Sequence, residues 1–232
     1  MSHPKRVSRR KPAPLSPTRV IRQDLASAVR DLTYWFVIGG QAVRCLCPYR
    51  PSRDVDFGVV DAKGLADLQA QLGRTGSVEA IESSADTAHL RWNSIDVSIF
   101  VLAPLAPFVE GRRLGIVGLL ATKLHAVLDR GTRRDFFDVY VLLQQERLGI
   151  AECLRSIREV HGAKVNDALL LRALTYFDDA DREAPLAGEG ERDWATVKAF
   201  FLERVGNLLV PPERPLVIQA NVIDVAPKSE QE

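Results

Sequence analysis

Tyr34-Trp35-Phe36-Val37-Ile38-Gly39-Gly40 is a short aromatic and β-branched run that stops at two glycines. It is followed, after a loop, by Asp54-Val55-Asp56-Phe57-Gly58-Val59-Val60. The first stretch reads as a buried strand meeting a tight turn. The second reads as another strand, Val55 to Val60, that carries Asp56. Gln41 to Cys47 between them reads as a short helix, and Pro48 to Arg53 as a loop. Two glycines where a strand becomes a helix let the backbone approach a phosphate, and the helix start offers it unpaired N–H groups. A plain turn uses the same two residues, so Gly39-Gly40 alone decides nothing.

Asp54 and Asp56 narrow the choice. Alternate residues of a strand share a face, so the two carboxylates project together. Two acids side by side repel one another, and a cation relieves them; hard oxygen ligands suit Mg²⁺ or Mn²⁺. Val55, Phe57, Val59 and Val60 surround the pair and imply one buried face. A third acid, Asp96, sits inside Ile95-Asp96-Val97-Ser98-Ile99-Phe100, again a strand pattern. If that strand pairs next to the Asp54–Asp56 strand, Asp54, Asp56 and Asp96 cluster into a site able to hold two metals; otherwise Asp96 faces water.

Upstream, Pro17-Thr18 starts a helix with Val20, Ile21, Leu25, Ala28, Val29 and Leu32 on one stripe. Downstream, Ala62 to Leu72 reads as a surface helix, and Val78 to Ile81, His89 to Trp92 and Ile95 to Leu102 as strands. After Pro104 and Pro107 the spacing turns helical over Leu119 to Leu128, Phe136 to Leu143, Ala151 to Val160, Val165 to Tyr176 and Trp194 to Leu208. Strands first and helices second give an α+β fold. The expected organisation is a disordered basic arm over 1–17, a core over 18–110, a helical region completing the site over 111–210, and a tail over 211–232.

The chain has 232 residues, 46% of them hydrophobic, enough for a substantial core. Its net charge of +1 commits it to neither nucleic acid nor membrane as a whole. The arm is locally basic, with Lys5, Arg6, Arg9, Arg10 and Lys11; it reads as a solvated segment or as a phosphate-seeking one. Cys45, Cys47 and Cys153 form neither a disulfide framework nor a zinc pattern, which points to a reducing cytoplasm. No apolar run is long enough to span a bilayer, and no apolar segment follows the basic N-terminus as a secretory signal requires.

Gly39-Gly40-x-Ala42, Arg50-x-Ser52-x-Asp54-x-Asp56-Phe57 and Asp96 together resemble the DNA polymerase β-like nucleotidyltransferases. Lys123-Leu124-His125-Ala126-Val127-Leu128-Asp129-Arg130 and Arg134-Asp135-Phe136-Phe137-Asp138 narrow the resemblance to the AbiEii/AbiGii toxin family of abortive-infection and toxin–antitoxin systems. The resemblance implies a mixed sheet with flanking helices, then a helical C-terminal part. It implies an enzyme that moves a nucleoside monophosphate from a nucleoside triphosphate to an acceptor, RNA such as tRNA, with Mg²⁺ or Mn²⁺ as cofactor and an antitoxin as partner. Gly39, Gly40, Arg50 and Ser52 would hold phosphate, and Asp54, Asp56 and Asp96 metal. Asp96 would also position or deprotonate the acceptor hydroxyl, and Lys123 would neutralise phosphate, with Arg130 on the same helical face.

Asp135 and Asp138 would orient Lys123 or Arg130, touch nucleotide, or form a structural ion network with Arg133 and Arg134. His125 reads as a packed or partner-bonded helix residue. Two alternatives stay open: transfer to a small molecule of the aminoglycoside type, and a non-catalytic nucleotide-binding module. A cationic drug calls for an acidic pocket, whereas tRNA calls for a basic rim.

Overall fold

The computed structural model describes residues 13–162 and 165–209. The expected basic arm up to residue 12 and the tail from 211 lie outside them. Seven strands are described: β1 (Trp35–Val37), β2 (Val55–Val59), β3 (Val78–Ser83), β4 (Thr87–Trp92), β5 (Ile95–Val101), β6 (Val109–Glu110) and β7 (Arg113–Leu114). They form one mixed sheet in the order β3-β4-β5-β2-β1-β7-β6. The central pair β2 and β5 runs parallel, with Val55 opposite Val97 and Asp56 opposite Ser98. β1 is antiparallel to β2, and β4 is antiparallel to both β3 and β5.

Two-residue periodicity gives the sheet two unlike faces. Val55, Phe57 and Val59 on β2, Val97 and Ile99 on β5, and Leu90 and Trp92 on β4 are buried. α4 (Ala62–Thr75) follows β2 and buries Leu65, Leu68 and Leu72. The indole of Trp92 donates to the Leu72 carbonyl at 2.9 Å, which pins this helix to β4. The intervening residues Asp56, Ser98, Asp96, His89 and Arg91 therefore belong to the opposite face.

The upstream helix is two short ones, α1 (Pro17–Val20) and α2 (Gln23–Ala28), rather than one continuous stripe. Ile21 and Arg22 between them are extended, so Val20, Ile21 and Leu25 all reach the core despite the break. Leu15, at the end of the expected arm, donates its N–H to the Cys45 carbonyl at 2.7 Å. α3 (Gly39–Leu46) begins at Gly39 itself. The β6–β7 hairpin was not expected. Gly111 and Arg112 both have positive φ, as a tight two-residue turn requires, but two-residue strands leave no alternation to read.

The helical part comprises α5 (Ile116–Asp129), α6 (Arg133–Glu146), α7 (Ile150–His161), α8 (Asp167–Ala173), α9 (Asp178–Asp181) and α10 (Asp193–Leu209). The fold is thus α+β, with the mixed sheet and its flanking helices followed by a helical part. Phe136 on α6 is fully buried, with the rings of Phe177, Trp194 and Phe201 centred 5.0, 5.9 and 5.6 Å away. Burying such a side chain is worth about 1.5–3 kcal/mol. This aromatic cluster fixes α6, and with it Asp135 and Asp138. None of the helices among the described residues is long and apolar enough to cross a membrane.

Candidate active site

The Gly39-Gly40 turn lies against the acids. Gly39 has φ +60°, and a methyl group there would overlap the carboxylate of Asp56. A methyl on Gly40 would come 2.6 Å from the Ser52 hydroxyl. Glycine is needed at both positions for close approach, and at Gly39 for its left-handed backbone as well. Gln41, in the first turn of α3, donates through Nε2 to the carbonyls of Ser52 and Asp54, both at 3.1 Å. These bonds tie the loop before β2 to the helix start.

Asp56 is half-buried, and its carboxyl is raised above its ordinary value of 3.8. Burial is the main cause, and the charge of Asp54 adds to it. Lys123, a hydrogen bond with Ser98, and Arg134 act in the opposite sense without restoring the balance. Ser98 in turn meets His89 Nδ1 at 3.0 Å. Asp54 is exposed, immediately before β2. Asp96 is exposed too, and opposes Arg91 across the β4–β5 ladder, where Arg91 Nε donates to Oδ1 at 3.0 Å.

Behind the acids lies a buried ionic cluster. Lys123 is only 5% exposed at its side chain, and its Nζ lies 2.7 Å from Asp138 Oδ2 and 3.6 Å from Asp135 Oδ1. Lys123 is therefore not on a solvated helix face. Asp138 also accepts from Arg50 Nε at 3.0 Å, Arg50 Nη2 at 2.8 Å and the Tyr49 hydroxyl at 2.5 Å. Asp135 accepts from Arg130 Nε and Nη2, at 2.8 and 3.0 Å, and from the Thr132 hydroxyl. Burial alone would raise the Asp135 carboxyl, but these donors and the charge of Lys123 outweigh it and hold it below its ordinary value.

The network thus joins Asp135 and Asp138 to Lys123, Arg130 and Arg50. Arg133 is not part of it: its guanidinium pairs with Glu189 and stacks 4.9 Å from the Trp194 ring. Tyr49 was missed in the sequence because nothing local couples it to Asp138, 89 positions away. Ser98 had a signal, since it follows Asp96 by two on the same strand and so shares its face.

A cavity of about 360 Å³ gathers Gly39, Gly40, Arg50, Ser52, the three acids, Lys123, Arg130 and the exposed Arg134. Two further cavities adjoin it. One, of about 440 Å³, shares Gly39, Asp56, Phe100, Lys123 and Arg130 with it and is more apolar. The other, of about 640 Å³, shares Ser52, Asp54 and Asp96 and is rimmed by Arg22, Arg44 and Arg53. Asp135 and Asp138 have no exposed surface and line none of the three.

Among the described residues no group of three or more His, Cys, Asp or Glu side chains stands close enough to hold a metal ion. The three acids face one cavity, but Asp96 is turned to Arg91. An exposed ion pair of this kind contributes little, so it presents a small obstacle to a competing divalent cation. The donors are all carboxylate oxygens, and Asp56 carries an anion that burial disfavours. The donor type suits Mg²⁺ or Mn²⁺, while the described arrangement does not gather three such donors.

Residues 96–207 match the model of the family described as nucleotidyl transferase AbiEii toxin, Type IV TA system. The match begins at Asp96, so it takes in Lys123, Arg130, Asp135 and Asp138 but not the Gly39-Gly40 turn or the first two acids. The chain is 24% identical over 184 residues to the uncharacterized protein aq_aa25 of Aquifex aeolicus, covering 75% of this chain and 88% of that one. Two solved structures are similar. One is of a candidate nucleotidyltransferase from H. pylori, with TM-score 0.48, 16% identity, and coverage of 81% of this chain and 92% of that one. The other is of an antigenic nucleotidyltransferase-like protein from Paracoccidioides brasiliensis, with TM-score 0.41, 18% identity, and coverage of 69% and 95%.

Proposed function

We propose, for a chain whose residues 96–207 match the nucleotidyltransferase toxin family of type IV toxin–antitoxin systems, that it transfers a nucleoside monophosphate from a nucleoside triphosphate to RNA. The observation that carries this reading is the contact between Gly39 and Asp56, with Lys123 on the wall of the same cavity. A helix start that admits phosphate, a carboxylate pair and a buried cation then meet in one place, as a triphosphate requires.

The acceptor hydroxyl oxygen forms a bond to the α-phosphorus, the bond from that phosphorus to the bridging oxygen breaks, and pyrophosphate leaves with the electron pair. Asp96, on the side of the Arg22–Arg44–Arg53 cavity, takes the hydroxyl proton. Gly39 and Gly40 admit the phosphates, and Lys123 and Arg130 neutralise them. Asp138 and Asp135 hold Lys123 and Arg130 in position rather than touching nucleotide, since both carboxylates are fully buried and already paired. Arg50 is likewise aimed by Asp138. Asp54, Asp56 and Asp96 would hold Mg²⁺ or Mn²⁺, which when bound neutralises the carboxylates and the charge that develops on the triphosphate.

The arginine rim beside Asp54 and Asp96 supports an anionic acceptor over a cationic drug. The toxin family supports an antitoxin protein as partner. Pyrophosphate release, measured with Mg²⁺ and each nucleoside triphosphate with and without total RNA, tests the proposal. Release that depends on RNA is the expected result. Release that depends instead on an aminoglycoside would replace RNA as acceptor, and binding without release would leave a nucleotide-binding module.

A further inference from the structure

The apolar cavity of about 440 Å³ opens off the acid site and carries a histidine pair. At one end it shares Gly39, Lys123 and Arg130 with the acid site. Phe100 is shared too, and the wall that is not shared includes Leu102, Leu105 and Asp129, with His125 from α5 and His161 from the end of α7. His125 is exposed and lines the cavity. The two imidazole rings are centred 5.6 Å apart and tilted by 40°. Nε2 of His161 is buried and has no hydrogen-bond partner among the described residues. Burial, with the charge of His125 second, lowers the His161 ring below its ordinary value of 6.5 and so keeps it neutral near pH 7.

A neutral imidazole offers one donor and one acceptor. Imidazole edges beside Phe100 and two leucines make a poor anion site, because phosphate would go to Lys123 and Arg130 on the shared wall. They suit a flat, weakly polar heterocycle whose edge mixes donors and acceptors. The cavity therefore has the polarity of a nucleotide: charged where it meets the acids, apolar and sparingly polar beyond. A buried, unpaired nitrogen costs free energy, and a small turn of its ring toward a base edge would give it a partner.

We propose that this lobe receives the base of the nucleoside triphosphate, and that His125 and His161 set which base is preferred. The inference rests on the proposed transfer reaction. It adds residues that neither the acid motif nor the Lys123 helix would have singled out as specificity determinants.

The test is equilibrium binding of the four nucleoside triphosphates and of inorganic triphosphate to the wild-type chain and to His161→Leu, His161→Asn and His125→Leu. The preferred nucleotide should bind the two leucine variants about tenfold more weakly, the scale of a lost base hydrogen bond, so that the four affinities converge. His161→Asn should recover part of the preference. Inorganic triphosphate should bind all four proteins equally, which also shows that they are folded. An unchanged ranking of the nucleotides in the leucine variants overturns this inference alone. So does a parallel loss of inorganic triphosphate binding, since the effect would then not be on the base. A wild-type chain that binds no nucleotide overturns the transfer reading and the base lobe with it.

Discussion

Lys123 Nζ lies 2.7 Å from Asp138 Oδ2, and neither side chain is more than 5% exposed. The pair joins α5 to α6 and presents a cation to the cavity that holds the acids. Asp138 binds Arg50 and Tyr49 as well, so one carboxylate sets the position of two cations.

This arrangement predicts coupled losses at Lys123 and Asp138. Removing one partner of a buried ion pair costs about 3–5 kcal/mol, because the other charge stays buried. Lys123→Ala and Asp138→Asn should each lower the unfolding midpoint in urea and weaken nucleotide binding. The double variant should cost at least about 1 kcal/mol less than the sum of the two. Additive losses in denaturation would show that the pair is not energetically joined.

Asp56 should destabilise the metal-free protein. Its carboxyl is raised by burial and by Asp54, so ionisation is less favourable in the folded chain than in the unfolded one. That stability is fully present below pH 3.8 and is lost as pH rises through the higher folded value. Asp56→Asn should therefore stabilise the metal-free fold at pH 7 while abolishing transfer. Thermal unfolding in a chelator reads the first effect; an equal or lower midpoint for the variant would contradict it.

Asp135 has the opposite sign. Arg130, Lys123 and Thr132 hold its carboxyl below 3.8, so its contribution is present above pH 3.8 and disappears as pH falls through the folded value. Acid unfolding should be steep in the wild-type chain below pH 3.8 and shallower in Asp135→Asn, which starts from a lower plateau at pH 7. Identical acid limbs would remove Asp135 from the account.

Gly39→Ala should be costly to activity out of proportion to stability. The left-handed backbone disfavours alanine by about 1–2 kcal/mol, and its methyl would displace the Asp56 carboxylate. A displacement of about 1 Å at a reacting centre can cost on the order of a hundredfold in rate. The expected outcome is a folded variant whose transfer rate falls about that far, measured beside its urea midpoint.

The central strands were legible because Val55, Phe57 and Val59 alternate with Asp56, and Val97 and Ile99 with Asp96 and Ser98. Period two fixes both the dry face and the acid face. The β6–β7 hairpin was not legible, because two residues per strand carry no period. The break after Val20 was hidden because Ile21 stays buried on either side of it. The pairing of Lys123 was not legible because its partners are on another helix, and Arg133 looked like a possible member of the acid network because Glu189 is 56 positions away. What escapes a local reading in each case is a long-range pairing of charges. Asp96 differs: its strand pairing was readable, while its bond to Arg91 required knowing that β4 lies on its other side.

The most direct measurement is incubation with Mg²⁺, total tRNA and each nucleoside triphosphate labelled at the α-phosphate, beside the Asp54→Ala/Asp56→Ala protein. The account predicts label covalently joined to RNA with the intact chain and none with the double variant. Label transferred equally by both proteins would contradict the assignment of the acids. Nucleotide bound by the intact chain but never transferred to any acceptor would contradict the enzyme itself.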